Sequence, residues 1–528
     1  MSTFIVSGTA GGGDFEERRP GGQGADDEPR SADETTEPPL PGRARLPRAI
    51  PEDHGVASAG LLGMVDAWES AGLGVHSVMV VVRGAVIAEG WWDPYGPHLR
   101  HDLFSLSKSF TSAAVGLAEA EGLLSVDDLL LDHLGSDLDR ASVPPHLAAM
   151  RLSHLLTMTT GHDVDPTDHV FAQRDWLQTF LDLPVEHEPG THFVYNTAAT
   201  YVLGAVVSKV TGQRLLDYLT PRLLEPLGAF GATWDQCPLG RDVAGSGLAL
   251  TTEDVACFGR LLLQDGVWEG RRLLPEGWVA RATARHVASS NDKVDWQQGY
   301  GYQFWQARHG YRGDGAFGQF CVVLPEQDAV VAITSGDTDM QGILDGIWEH
   351  LLPALAASQA APEPGVHEAL VERLAGLRLD PPGAGELWAR EVPEGAVAWS
   401  GRRIAFEPNP LEVRWAVLEL GEHSDRLSVA WGRRTYTLDL GHATWALGTL
   451  RVPGARRREE RMAASGAWVG PRTYEVTLRR IETPHCHTWL LTVDDDAVRV
   501  EGEVDVAFGP TTTPPLVGRF DEGVTEAG

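Results

Sequence analysis

The chain has 528 residues, a formal net charge of -31, 43% hydrophobic and 22% charged residues. That balance fits a globular protein of roughly two to four domains. The acidity argues against a nucleic-acid partner or an anionic membrane surface, since phosphates would be repelled, and no apolar run reaches the roughly 18 residues that span a bilayer.

Residues 1–48 are rich in Gly, Pro, Glu, Asp and Arg and nearly lack aromatic side chains. Such a stretch buries too little apolar surface to offset its ordering entropy, so an acidic disordered tail is expected there. Its first residues show no basic segment followed by an apolar one, and so no export signal. The four cysteines (Cys237, Cys257, Cys321, Cys486) are scattered and lack CxxC spacing. Free thiols in a reducing cytoplasm are the corresponding expectation.

From residue 49 the pattern turns globular. SVMVVVRGAVIAEGWW predicts two strands joined by a tight turn at Arg83 and Gly84. A helix is predicted from Ser105 through SFTSAAVGLAEAEGLL, with Gly122 as its stop. Residues 140–240 read as helices and long loops. Strand signal returns in YGYQFW, QFCVVL and AVVAITSG. Strands, then helices, then strands describe an α/β layer with a helical insertion. PALAASQAAPEPG (353–365) has the composition of a linker. Beyond it, AVAWSG, RLSVAW, RTYTLDL, RTYEVTL, TWLLTV and AVRVEGEVDV predict an antiparallel sandwich or barrel.

Chemistry concentrates in FSLSKSFTSAA. Ser105 and Lys108 stand three residues apart and share one face of a helix. A serine hydroxyl is a weak nucleophile until a base takes its proton, and a desolvated lysine can be that base. At a helix start, backbone N–H groups of the serine turn would also face a developing oxyanion. The same spacing recurs at Ser290 and Lys293, but inside the polar stretch SSNDKVD. Only three lysines (Lys108, Lys209, Lys293) occur among 43 basic residues. A lysine on an apolar helix in so arginine-rich a chain points to a need for deprotonation, which arginine cannot supply. The competing reading is a solvated surface lysine.

Tyr195 follows a Pro-Gly turn in HEPGTHFVYNTAATYVLG. Its phenol is either a proton shuttle or a core aromatic with a satisfied hydroxyl. In RHGYRGDGAFGQF the glycines precede a buried strand, where they allow close backbone approach to a ligand, or simply build a hairpin turn. His485-Cys486-His487 has metal-ligand residue types but no third ligand in view, and a structural role is favoured. Asp163, Asp165 and Asp168 near His162 read as a solvated loop. Trp176, Trp234, Trp296 and Trp305 point either to an aromatic-lined cleft or to core packing. No GxSxG elbow, P-loop or dinucleotide fingerprint is present.

In order and spacing, these segments resemble the serine β-lactamase (class C), penicillin-binding and esterase family across about residues 49–358. MRLSHLLTMTTGH, PGTHFVYNTAATYVLGAVVSKVTG and SGLALTTEDVACFGRLLLQDGVW resemble it too. The resemblance implies Ser105 as the acylated nucleophile, Lys108 as its proton acceptor and Tyr195 as the group protonating the leaving group. It also implies an oxyanion hole from the backbone N–H groups of Ser105 and Ala316. Thr197 stands where the family has an asparagine. The family's Lys-Thr-Gly motif is matched by Gly313-Asp314-Gly315, or in a shifted match by His309 and Gly310, and lacks its lysine. GAFGQ is more like the esterase and amide-hydrolase branch, which includes the nylon-oligomer hydrolases.

The expected architecture is α/β: a β-lactamase-like antiparallel sheet flanked by helices, with an inserted mainly helical region, over 49–358. A linker and an antiparallel all-β domain follow over 359–528. The expected activity is hydrolysis of a small-molecule ester or amide through a Ser105 acyl-enzyme. Thr197, Arg312 (an anion anchor) and Asp314 are the candidate substrate-binding residues. Acyl transfer from the same site, or a silent ligand-binding relative, are the alternatives. No metal and no organic cofactor are expected.

Overall fold

A computed structural model of the chain describes residues 46–135, 142–356, 363–385, 392–451 and 459–521. Most of the expected tail, and part of the expected linker, lie outside these residues. The last three residues of that tail are ordered: Leu46 is buried, and Arg48 bridges to Val86 and pairs with Glu89 and Glu253.

Helix α1 (Ser58–Ser70) leads into strands β1 (Val75–Val82) and β2 (Ala85–Trp91). Arg83 and Gly84 both take positive φ, 49° and 81°, as a two-residue hairpin turn requires. Strand β3 (His101–Asp102) precedes α2 (Ser107–Ala120). The predicted stop at Gly122 follows α2 with φ 71°. The helical insertion then supplies α3 (Leu130–Leu134), α4 (Pro145–Ala149), α5 (Leu152–Leu156), α6 (Thr167–Phe171), α7 (Trp176–Asp182), α8 (Thr197–Thr211) and α9 (Leu215–Leu219). Short strand β5 (Leu248–Leu250) pairs with β3 on one side and with β4 (Thr233–Trp234) on the other. After α10 (Thr252–Leu263) come the hairpin β6 (Val267–Trp268) and β7 (Arg271–Arg272), and α11 (Trp278–Ala282). The sheet is completed by β8 (Trp305–Gln306), β9 (Tyr311–Gly315), β10 (Gln319–Leu324) and β11 (Ala329–Ser335).

The order of that sheet is β2-β1-β11-β10-β9-β8, all antiparallel. Every residue of β1 is buried, because both sheet faces are covered. Met79 and Val81 face α2 and α10, where Phe110 and Phe258 stack with centroids 3.9 Å apart. Val78, Val80 and Val82 face α1 and α12 (Met340–Gly346). Each fully buried valine contributes about 1.5–3 kcal/mol of transfer free energy. Past α13 (Leu352–Ala356), α14 (Val366–Ala375) packs Leu370 back onto the α1 side of this sheet. Thus residues just beyond the expected boundary at 358 join the first core.

The YGYQFW segment departs from the expected strand: Tyr300 makes only isolated bridges, and a strand begins at Trp305, the last residue of the segment. Gln303 takes φ 68°, and its backbone N–H donates to Leu156 O, so the chain wraps across α5 instead of extending.

The C-terminal region has ten strands: β12 (Arg403–Phe406), β13 (Val413–Glu419), β14 (Ser424–Trp431), β15 (Arg434–His442), β16 (Ala446–Leu450), β17 (Glu460–Gly470), β18 (Thr473–Arg479), β19 (Cys486–Asp494), β20 (Ala497–Val504) and β21 (Leu516–Phe520). Neighbours pair in the order β15-β14-β13-β12-β21-β20-β19-β18-β17-β16, and a β15–β17 pairing closes the ring. The result is a closed barrel, which leaves no open sheet edge between β15 and β17. Alternate residues such as Val498 and Val500 point inward with Ile404, Leu418 and Phe520. AVAWSG is not the expected strand: Ala396–Trp399 is a single 3-10 turn entered through Gly395 at φ 87°. Its Trp399 packs against the barrel core.

The barrel docks on the first sheet's end. Asp102 N donates to Glu482 O at 2.8 Å, and Tyr95 Oη to Thr483 O at 3.3 Å. Trp445 Nε1 donates to Leu379 O at 3.0 Å.

Candidate active site

Ser105 lies in a 3-10 turn (Phe104–Leu106) that feeds directly into α2, two residues earlier than the α-helix itself. Phe104, just before it, adopts φ 45°, a conformation costing a non-glycine residue about 1–3 kcal/mol. One turn on, Lys108 is fully buried on the same face. Its Nζ donates to Ser105 Oγ at 2.8 Å, Thr197 Oγ1 at 3.0 Å and Gly245 O at 2.8 Å. Burial lowers the Lys108 pKa to about 7, opposed by the carboxylates of Asp165 and Asp314. An amine poised near neutrality accepts a proton readily.

Tyr195 reaches the same point from the loop before α8. Lys108 Nζ sits 4.9 Å from its ring centroid. Burial raises its phenol pKa, while a hydrogen bond with Ser105 works the other way. The ring stacks on Trp305 (5.4 Å, 19°) and meets Tyr300 edge-on (6.0 Å, 86°). Asn196 turns away to cap α8, accepting from Ala199 N at 3.0 Å. Thr197, the first residue of α8, is thereby aimed at Lys108.

Strand β9 supplies the third wall. A Cβ on Gly313 would lie 2.5 Å from Leu106 Cδ1 and 2.6 Å from Ser109 Oγ, and one on Gly315 would strike the Leu103 carbonyl. These two glycines thus give room to the serine turn and the start of α2. Ala316 opens the three-residue loop between Gly315 and Gln319, which pair as β9 meets β10. This loop, with Phe317 at φ 65° and Gly318 at φ 89°, places Ala316 beside the serine turn.

Arg312 and Asp314 lie two positions apart on β9. Arg312 is completely buried, its Nε donating to Asp314 Oδ2 at 3.0 Å and its Nη1 to the Asp295 and Gln306 carbonyls. Its guanidinium lies 4.4 Å from the Trp296 ring centroid. Burial pushes the Asp314 carboxyl up, and Arg312 holds it down. Arg312 and Asp314 thus pair with one another inside the fold, and among the described residues Arg312 Nη2 is buried without a hydrogen-bond partner. Residues i and i+2 of one strand share a face, which makes the pairing a natural one.

All four tryptophans are buried in the core, and of these Trp296 and Trp305 also touch Arg312 and Tyr195. His485 and His487 are buried, and His485 Nδ1 donates to Val506 O at 3.0 Å. Among the described residues, the group able to offer three ligand atoms to a metal is a different one. Asp163, His187 and His192 bring them within 4.8 Å of one another. His187 Nε2 already lies 3.0 Å from Asp163 Oδ1, a hydrogen-bond distance. Asp163, Asp165 and Asp168 are all exposed, and the Asp165 carboxylate raises the Lys108 pKa against the effect of burial.

Sequence reasoning missed Gly245 and Gln303. Gly245 offers a carbonyl, which any residue carries; only the crowding gives it away, since a Cβ there would lie 2.7 Å from Thr197 Cγ2. Gln303 ties α5 to α8, donating to the Leu155 and Leu156 carbonyls and accepting from Thr200 Oγ1.

The family description "Beta-lactamase" matches residues 52–352, more than half of the chain. The chain belongs to the β-lactamase family and is a hydrolase of the serine type. Among curated proteins it is 28% identical to the 6-aminohexanoate-dimer hydrolase of Paenarthrobacter ureafaciens, over 53% of this chain and 78% of that protein. Protein Rv1367c of Mycobacterium tuberculosis is 27% identical over 34% of this chain and 58% of its own length. Among solved structures, a putative 6-aminohexanoate-dimer hydrolase from Bacillus anthracis matches at 19% identity and a TM-score of 0.46, covering 59% of this chain and 87% of that one. No helix among the described residues is long and apolar enough to cross a membrane.

Proposed function

We propose that the protein hydrolyses a small-molecule ester or amide through an acyl-enzyme on Ser105. The observation that carries this reading is a buried amine with a pKa near 7 at 2.8 Å from the serine hydroxyl. Neutral Lys108 takes the Ser105 Oγ proton as the oxygen attacks the acyl carbon. Backbone N–H groups of Ser105 and Ala316 stabilise the oxyanion. When the intermediate collapses, the bond to the leaving group breaks and Tyr195 gives that group its proton. Water then attacks the acyl-enzyme, loses a proton to the same Lys108–Tyr195 pair, and releases the acid with Ser105 restored. A relative named for hydrolysis of a 6-aminohexanoate dimer supports a substrate of this class.

Dedicated β-lactamase activity is not part of the proposal. The position matched to the family's lysine holds Gly313, and the neighbouring Arg312 is paired with Asp314. Nitrocefin turnover is expected to be far slower than p-nitrophenyl ester turnover. Four buried free cysteines among the described residues accord with a proposed cytoplasmic location, which cell fractionation tests.

A fluorophosphonate probe and a p-nitrophenyl ester test the mechanism. The wild type is expected to label and turn over, and Ser105→Ala to do neither. A Ser105→Ala protein that labels like the wild type, or a wild type inert to both reagents, overturns it.

A further inference from the structure

Barrel residues in the connection between β20 and β21 reach the turn that carries Ser105. Val506 is buried in a small apolar cluster with Phe104 and Phe317, and Ala316 packs against it. Phe508 follows, with its ring centroid 5.9 Å from Phe104 and 5.0 Å from Phe317. It is nevertheless 64% exposed. His485, from the turn before β19, meets both phenylalanines edge-on at 6.1 and 6.0 Å, and it holds Val506 by its carbonyl.

The two phenylalanines are not arbitrary neighbours. Phe104 precedes Ser105, and Phe317 follows Ala316, so each adjoins one of the N–H groups assigned above to the oxyanion. Both carry positive φ, 45° and 65°, and non-glycine residues keep such angles only where their surroundings fix them. Their rings form a T-shaped pair at 5.3 Å and 86°. That pair ties the serine turn to the β9–β10 loop, and Val506, Phe508 and His485 cover it. A large aromatic ring left exposed beside a nucleophile is apolar surface that a bound substrate removes from water.

We propose that the barrel is a working part of the active site. Val506 and His485 are positioning residues that fix the oxyanion-hole backbone, and Phe508 is an apolar wall that receives the acyl chain of an ester or amide. The inference rests on the acyl-enzyme reading and assigns that site its substrate class: acids with an extended apolar chain.

The test uses the full chain and p-nitrophenyl acetate, butyrate and octanoate. Phe508→Ala is expected to lose kcat/KM in a way that grows with acyl length, reaching about tenfold or more on the octanoate, mainly through KM. Phe508→Trp is expected to restore the preference for longer chains. Val506→Ala is expected to lower kcat on all three esters by a similar factor, about tenfold, with KM little changed. An unchanged chain-length profile in Phe508→Ala overturns the wall. Because that side chain is exposed, misfolding does not obscure the result. Fluorophosphonate labelling separates the two ideas. Labelling that persists with no chain-length effect sinks this inference alone, whereas an inert wild type sinks the acyl-enzyme reading and this inference with it.

Discussion

Lys108 has three hydrogen-bond acceptors and no room for water-like hydration, since Ser105, Thr197 and Gly245 surround an amine that burial has brought near neutrality. The sign of its pH dependence follows. Below about pH 7 the amine is protonated and cannot accept the serine proton; above it the free base is present. The kcat/KM profile is therefore expected to fall by about tenfold per pH unit on the acid side of an inflection near 7. Lys108→Arg fixes the charge, and a loss of about 10²–10⁴-fold is expected in steady-state ester hydrolysis. Tyr195→Phe keeps the stack on Trp305 but removes the proton donor. Its loss is expected to be largest for substrates with poor leaving groups, such as anilides, which a comparison of anilide and p-nitrophenyl ester rates reveals.

At the scale of elements, the site depends on how closely β9 approaches the serine turn. Gly313→Ala puts a methyl group onto Leu106 and Ser109. Overpacking of this kind costs about 1–3 kcal/mol, so a lowered melting temperature together with lost activity is expected by calorimetry and ester assay. The elements were legible to different degrees. β1, β10 and β11 announced themselves as unbroken apolar runs because both faces of their sheet are buried. Trp399 misled the reading of AVAWSG, since an apolar stretch of that length is equally a strand or a turn that packs against a barrel core. β12, β13, β16, β17 and β21 were not picked out. β16, for one, is largely exposed and gives no apolar alternation to read. Within the site, Ser105, Lys108 and Tyr195 were recognisable by residue type and order. The Gly245 carbonyl was not, because a backbone acceptor leaves no mark on composition. Nor was the Arg312–Asp314 pair, whose meaning lay in its burial.

Across the whole molecule, the barrel meets the first domain through buried histidines. His76 Nδ1 lies 3.1 Å from His101 Nε2, and His76 stacks on Tyr95 at 3.8 Å. His485 and His487 complete the group on the barrel side. Burial lowers both of their pKa values to about 3, and Arg480 adds to the shift. A histidine depressed from about 6.5 stays neutral in the fold while the unfolded chain takes up a proton. Its stabilising contribution is complete above about pH 6.5 and is lost as pH falls towards 3. The melting temperature is expected to drop across pH 6 to 4, and His487→Gln, which has no charge to gain, is expected to show a shallower slope. A slope in the variant equal to the wild type would remove the histidine from the account.

Phe104 and Val506 touch although 402 positions separate them in the chain. During synthesis the sheet and Ser105 emerge first, and the covering segment near 506 emerges well over a hundred residues after β11. At about 5–20 residues per second, the serine turn exists for roughly ten seconds or more before the segment proposed to hold its backbone has been made. With that role for the barrel, full activity is expected only of the finished polypeptide, and a chain cut short before the barrel is complete is expected to be folded in large part but not yet armed.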